Sequence, residues 1–127
     1  SGAIIIGGGV SLIAYFFVVV IKPLLGYDDA LDAFGVHGVG GIWGSIMVGV
    51  LASPMVQPAI KGTLFGNLSL LKIQLLAVAV TAVYSLIVTS IIFIALDRLM
   101  GVRVSGQEEA MGLDITHHNE RAYTLIE

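Results

Sequence analysis

The chain has 127 residues, 57% of them hydrophobic and only 12% charged, with a formal net charge of −3. A soluble domain carries roughly 25% charged residues to cover its surface, so this composition, with a mean hydropathy of +0.97, excludes an ordinary water-facing globule. The absence of cysteine also removes any disulfide framework or thiolate metal site.

The few charges are segregated. None falls between Ser1 and Ile21, between Ala33 and Ile60, or between Ile73 and Leu96. That is the pattern of an all-α, polytopic helical membrane protein with three spans. Ser-Gly-Ala leads straight into apolar sequence, without the basic segment and small-residue cleavage site of a signal peptide. The chain is therefore expected to be an internal or C-terminal piece of something longer.

The first apolar run, about residues 2–21, is expected to stop at Lys22-Pro23, because proline cannot continue a helix normally and lysine can snorkel to the headgroups. The second, ending at Leu51 before Ser53-Pro54, is expected to start near Asp28, where an aspartate satisfies orphan amides and opposes the helix dipole. The third runs over about residues 70–100 and is longer than a hydrocarbon core of about 30 Å, so it must tilt or protrude. Residues 101–127 form a polar tail. The side holding the 22–32 loop and the tail carries Lys22, Arg98, Arg103 and Arg121, against Lys61 and Lys72 on the other. The positive-inside rule then makes the tail cytoplasmic, in a plasma or inner membrane.

One histidine, His37, lies inside the second apolar run. An ionisable group in hydrocarbon marks a pathway or a site by default. From a start near Asp28, His37 falls close to mid-membrane, with Phe34 at i−3 and Gly40, Gly41 and Gly44 at i+3, i+4 and i+7. Those glycines leave open volume beside the ring and allow close approach of another helix. An imidazole in such a conduit can hydrogen-bond a small polar solute or relay a proton. The plainer reading is a histidine held by one interhelical hydrogen bond. Asp32 is expected to be a structural acid, paired or capping. Thr81, Ser85 and Thr89 recur every four residues as interhelical glue or back-bonding hydroxyls. Trp43 is expected to pack or to anchor at the interface. The adjacent His117 and His118 project in different directions and do not spell a metal site. No nucleophile elbow or dinucleotide fingerprint is present, so no enzyme, cofactor or nucleic-acid partner is expected.

The run Asp28-Asp29-Ala30-Leu31-Asp32-Ala33-Phe34-Gly35-Val36-His37-Gly38-Val39-Gly40-Gly41-Ile42 resembles the tenth transmembrane helix of the Amt/Mep/Rh ammonium transporters. The tail segment from Gly112 to Tyr123 is similar to their cytoplasmic motif Gly-Leu-Asp-x-x-x-His-Gly-Glu-x-Ala-Tyr, with Asn119 at the usual glycine position. Asparagine is the next best residue at positive φ, so the turn is expected to survive. The resemblance spans essentially the whole chain, as the last three of eleven helices in an inverted-repeat fold. It implies a homotrimer in the lipid bilayer with a hydrophobic pore through each protomer. It also implies a mid-membrane histidine pair, of which His37 matches the second, with Phe34 beside it on the conducting path. It implies ammonium recruited outside and deprotonated, and a regulatory tail built on Gly112, Asp114, His118, Glu120 and Tyr123 that a PII-type signalling protein can engage. Two alternatives stay open: an ammonium sensor coupled to a signalling domain, and a non-conducting assembly subunit.

Overall fold

The computed structural model describes residues 2–120, and every regular element among them is helical. Three helices are long and apolar enough to cross a membrane: Gly2–Leu25, Phe34–Leu51 and Leu68–Met100. Two short helices, Gly106–Met111 and Leu113–His118, lie in the tail. Val39, 8% exposed, is the sole buried hydrophobic residue among those described. A chain with so little interior places its apolar side chains against lipid or further helices.

The first span does not stop at Lys22-Pro23. A wide π-helical turn over Phe17–Ile21 precedes Lys22, whose amide donates to the Phe17 carbonyl. This widening accommodates a proline that lacks an amide, and the helix runs on to Leu25. The stop is Gly26, left-handed at φ 63°, whose amide closes onto the Lys22 carbonyl at 2.9 Å.

The second span begins later than expected, at Phe34 rather than near Asp28. Asp32 takes a left-handed φ of 54°, which a continuing helix forbids. The helix is instead started by Asp29, whose carboxylate accepts the Phe34 and Gly35 amides at 3.0 and 3.2 Å. The third span starts where Asn67 accepts the Ser69 amide at 3.0 Å. It ends at Gly101, φ 68°, whose amide meets the Asp97 carbonyl at 3.0 Å. Its 33 residues extend about 50 Å, beyond a core of about 30 Å.

Contacts divide the chain into two units, Ser1–Val83 and Tyr84–Glu127. In the first unit the spans pack through glycine. The Trp43 ring lies over Gly9, where an added Cβ would come within 2.5 Å of it, and the indole donates to the Ile6 carbonyl at 3.1 Å. Gly40 faces Val10, Gly35 faces Val18, and Gly49 lies against the Leu71 backbone. The second unit holds the end of the third span and the two tail helices.

Candidate functional site

The site is assembled around the first turn of the second span. Phe34 to Gly38 forms a second π-helical turn, packed against the π turn of the first span. Such wide turns redirect side chains and recur at functional sites. His37 sits inside this turn, exposed, and no described side chain hydrogen-bonds its imidazole. The Phe34 ring lies over Gly38, where an added Cβ would fall 2.9 Å from it. Tyr27 meets Phe34 edge to face at 5.9 Å, and its buried hydroxyl has no partner among the described residues.

The level of His37 along the paired spans follows from their register rather than from its own helix. Counted along the second span alone, it stands in the first turn. The antiparallel first span extends past it, however. Gly40 opposite Val10 and Gly35 opposite Val18 place His37 level with the stretch between those valines. That stretch is the middle of Gly2–Leu25.

The expected glycine face divides. Gly40 meets the first span, where an added Cβ would stand 3.1 Å from Val10 Cγ2, whereas one added at Gly41 or Gly44 would meet nothing within 4 Å. His37, Gly41 and Gly44 thus share the open side of the helix, and of the three glycines only Gly40 packs against a described residue.

Polar groups gather at the junction between the spans. Lys22 Nζ donates to Asp32 Oδ1 at 2.5 Å and to the Asp29 carbonyl at 2.7 Å. The pair is partly shielded, with side chains 28% and 35% exposed. Asp32 is therefore ion-paired, and the residue that caps the helix is Asp29. Sequence reasoning sent Lys22 to the headgroups and missed this pair. The available signal was one lysine on the near side of a turn holding three acids.

In the tail, Gly112 takes φ 95° and its carbonyl accepts the Thr116 amide at 3.1 Å and the Thr116 hydroxyl at 3.0 Å. The Asp114 carbonyl accepts the Glu120 amide at 2.9 Å, closing the last turn around Asn119. Asn119 is left-handed at φ 52°, as expected for a residue at a glycine position. His118 and Glu120 are exposed, and Tyr123 lies outside the described residues. The structure brings Asp32 and Phe34 to one junction, with His37 in the π turn that Phe34 opens, and sets Gly112 and Glu120 at the two ends of one short helix, with Glu120 bonded to Asp114.

Comparison with known proteins bears on what this arrangement is for. The model of the Ammonium Transporter Family matches residues 1–123. The chain is similar to the ammonium transporter Amt1 of Archaeoglobus fulgidus, 48% identical over 125 residues, which is 98% of this chain and 31% of that protein. It is 47% identical to an ammonium transporter of Aquifex aeolicus over 124 residues, 98% of this chain and 29% of that protein. An ammonium transporter of Bacillus subtilis is 43% identical over 120 residues, 94% of this chain and 29% of that protein. The chain thus spans about three tenths of the length of these relatives, and the family is named for transport rather than catalysis. With three membrane-capable helices and a family match over nearly its whole length, this chain belongs to the ammonium transporter family.

Proposed function

We propose that this chain is the C-terminal portion of an ammonium transporter and supplies His37 as one of two histidines in a hydrophobic pore. The observation that carries this reading is the register of the first two spans, which sets an exposed imidazole level with the middle of a membrane-length helix. A fully buried structural histidine would be expected to hold a hydrogen bond, and none is made to a described residue. Moving NH4+ through an apolar tube costs its hydration, so shedding the proton and passing neutral ammonia along imidazole nitrogens is the cheaper route. Sodium and potassium have no proton to lose and are rejected. Phe34 narrows the path next to His37, and the open face at Gly41 and Gly44 leaves room for solute or for another helix of the full-length transporter. The tail is cytoplasmic, the assembly a homotrimer, and the Gly112–Glu120 turn a docking element for a PII-type regulator.

The test is ammonium-induced current and internal pH in liposomes carrying the full-length protein, wild type against His37→Ala, with potassium pulses as control. Loss of flux, or of selectivity against potassium, with assembly intact supports the pore role. Unchanged flux and selectivity make the histidine structural and turn attention to a sensor or packing role.

A further inference from the structure

His37 makes no side-chain hydrogen bond within the described chain, so its place is set by the backbone that carries it. That backbone is gripped from one direction. The Phe34 and Gly35 amides are held by the Asp29 carboxylate, and the Val36 amide by the Asp32 carbonyl at 2.9 Å. The three amides immediately before His37 therefore depend on two aspartates. Both are in turn held by Lys22, through the Asp32 carboxylate and the Asp29 carbonyl. Asp32 stands at a positive φ, a conformation that a non-glycine residue keeps only when its surroundings enforce it. The Asp32 amide, bonded to the Asp29 carbonyl at 3.0 Å, ties the two acids into one turn.

We propose that Lys22 is a positioning residue for the pore: its ammonium clamps the Asp29–Asp32 turn to the end of the first span and thereby fixes the height and direction of His37. This rests on the reading of His37 as a pore residue. A lysine that served only to anchor the helix end would need one acidic partner or the headgroups. Here it bridges a carboxylate and a carbonyl that sit on either side of the strained turn, and both lead directly to the amides of the histidine-bearing turn.

The experiment uses the full-length protein in liposomes, with Lys22→Met, Lys22→Arg, the double variant Lys22→Met/Asp32→Asn, and His37→Ala in parallel. Readouts are ammonium flux, selectivity over potassium, the pH profile of flux, and assembly in detergent. Lys22→Met is expected to lower flux by roughly tenfold or more and to move the pH profile, as a small displacement of a working group does. Lys22→Arg, which restores a donor able to reach both partners, is expected to recover most of the flux. The double variant removes the Asp32 carboxylate together with the ammonium that pairs with it, so it decides the matter if Lys22→Met fails to assemble; it too is expected to lose flux. Wild-type flux and pH profile in an assembled Lys22→Met or double variant overturn the proposal. If His37→Ala itself leaves flux unchanged, the pore reading has failed. If His37→Ala stops flux while the Lys22 variants do not, positioning by Lys22 has failed alone.

Discussion

The two units of this chain are held together by different kinds of contact. In residues 1–83 the decisive interactions join positions far apart in sequence: the Trp43 indole on the Ile6 carbonyl, Gly35 against Val18, Gly49 against Leu71, and Lys22 on Asp32. In the second unit, hydrogen bonds such as Val102 to Asp97, Ser105 to Glu108 and Thr116 to Gly112 reach a few residues along the chain. The same carboxylate chemistry serves both. Asp29 caps the second span across a turn that Lys22 of the first span bonds, whereas Glu108 closes a capping box with its neighbour Ser105. In these contacts, position is specified by tertiary packing in the first unit and, at the Gly106–Met111 helix, by a local capping box in the second. The first unit can hold a side chain at a defined level along two paired spans, while the second builds two short helices.

The strongest way to break the contrast is at Gly49. An added Cβ there would stand 2.8 Å from the Leu71 Cα and 3.3 Å from its amide nitrogen, and backbone cannot swing aside as a side chain does. Gly49→Ala is expected to destabilise the chain by about 1–3 kcal/mol, as overpacking does. Gly41→Ala, on the open face, is expected to be neutral or to gain up to about 1 kcal/mol of helix propensity. Unfolding of the chain in detergent, followed by helical signal, separates them. Equal losses at both glycines would mean that a second copy covers the Gly41 face, and the contrast between packed and open glycines would not hold in solution.

A smaller effect is expected at Asp29. Its carboxylate satisfies two of the amides that a helix start leaves orphaned, so Asp29→Ala should cost about 1 kcal/mol, the usual value of a lost cap. Asp29→Asn keeps an acceptor oxygen and should recover most of it. The same detergent unfolding measures both. If Asp29→Asn is as poor as alanine, the charge at this junction matters more than the hydrogen bonds, and Lys22 is acting chiefly as a counter-ion.

These residues also mark what the sequence makes legible. The three spans and the place of His37 among glycines follow from hydropathy and spacing alone, and the left-handed turn at Asn119 from the family motif that usually has glycine there. The ends of the first two spans do not. Pro23 reads as a stop, but a π turn one residue ahead of Lys22 absorbs it, and Gly26 does the stopping. Asp28, Asp29 and Asp32 read as a helix beginning, but the left-handed Asp32 keeps them in a turn. Of the glycines near His37, spacing could not tell that Gly40 packs and Gly41 does not, because that depends on which face the first span takes. The miss at Pro23 is a local one, a π turn and a left-handed glycine in place of a proline stop, whereas those at Asp32 and at Gly40 and Gly41 depend on contacts with the first span.

The smallest predicted effect concerns the second unit and its acid chemistry. The Ser105 hydroxyl, and then the Ser105 amide, hydrogen-bond the Glu108 carboxylate and hold its pKa below the ordinary glutamate value, with His117 adding in the same direction. A carboxyl whose folded pKa is depressed stabilises the fold above its unfolded value. It loses that contribution as pH falls through the folded value. The Gly106–Met111 helix should thus begin to loosen below about pH 4.3 and be unaffected at neutral pH. The Ser105 amide nitrogen and proton shifts report this directly, because that amide donates to Glu108 Oε2 at 2.9 Å. Their titration midpoint should lie below the ordinary glutamate value in the wild type. In Ser105→Ala the hydroxyl is gone and the midpoint should rise toward that value. A midpoint that stays put in Ser105→Ala would show that the box does not hold the helix start. The tail would then lack the local definition that sets it apart from the first unit. A rise confined to the tail would show that its helix is specified by four consecutive residues, Ser105 to Glu108, independently of the packing that places His37.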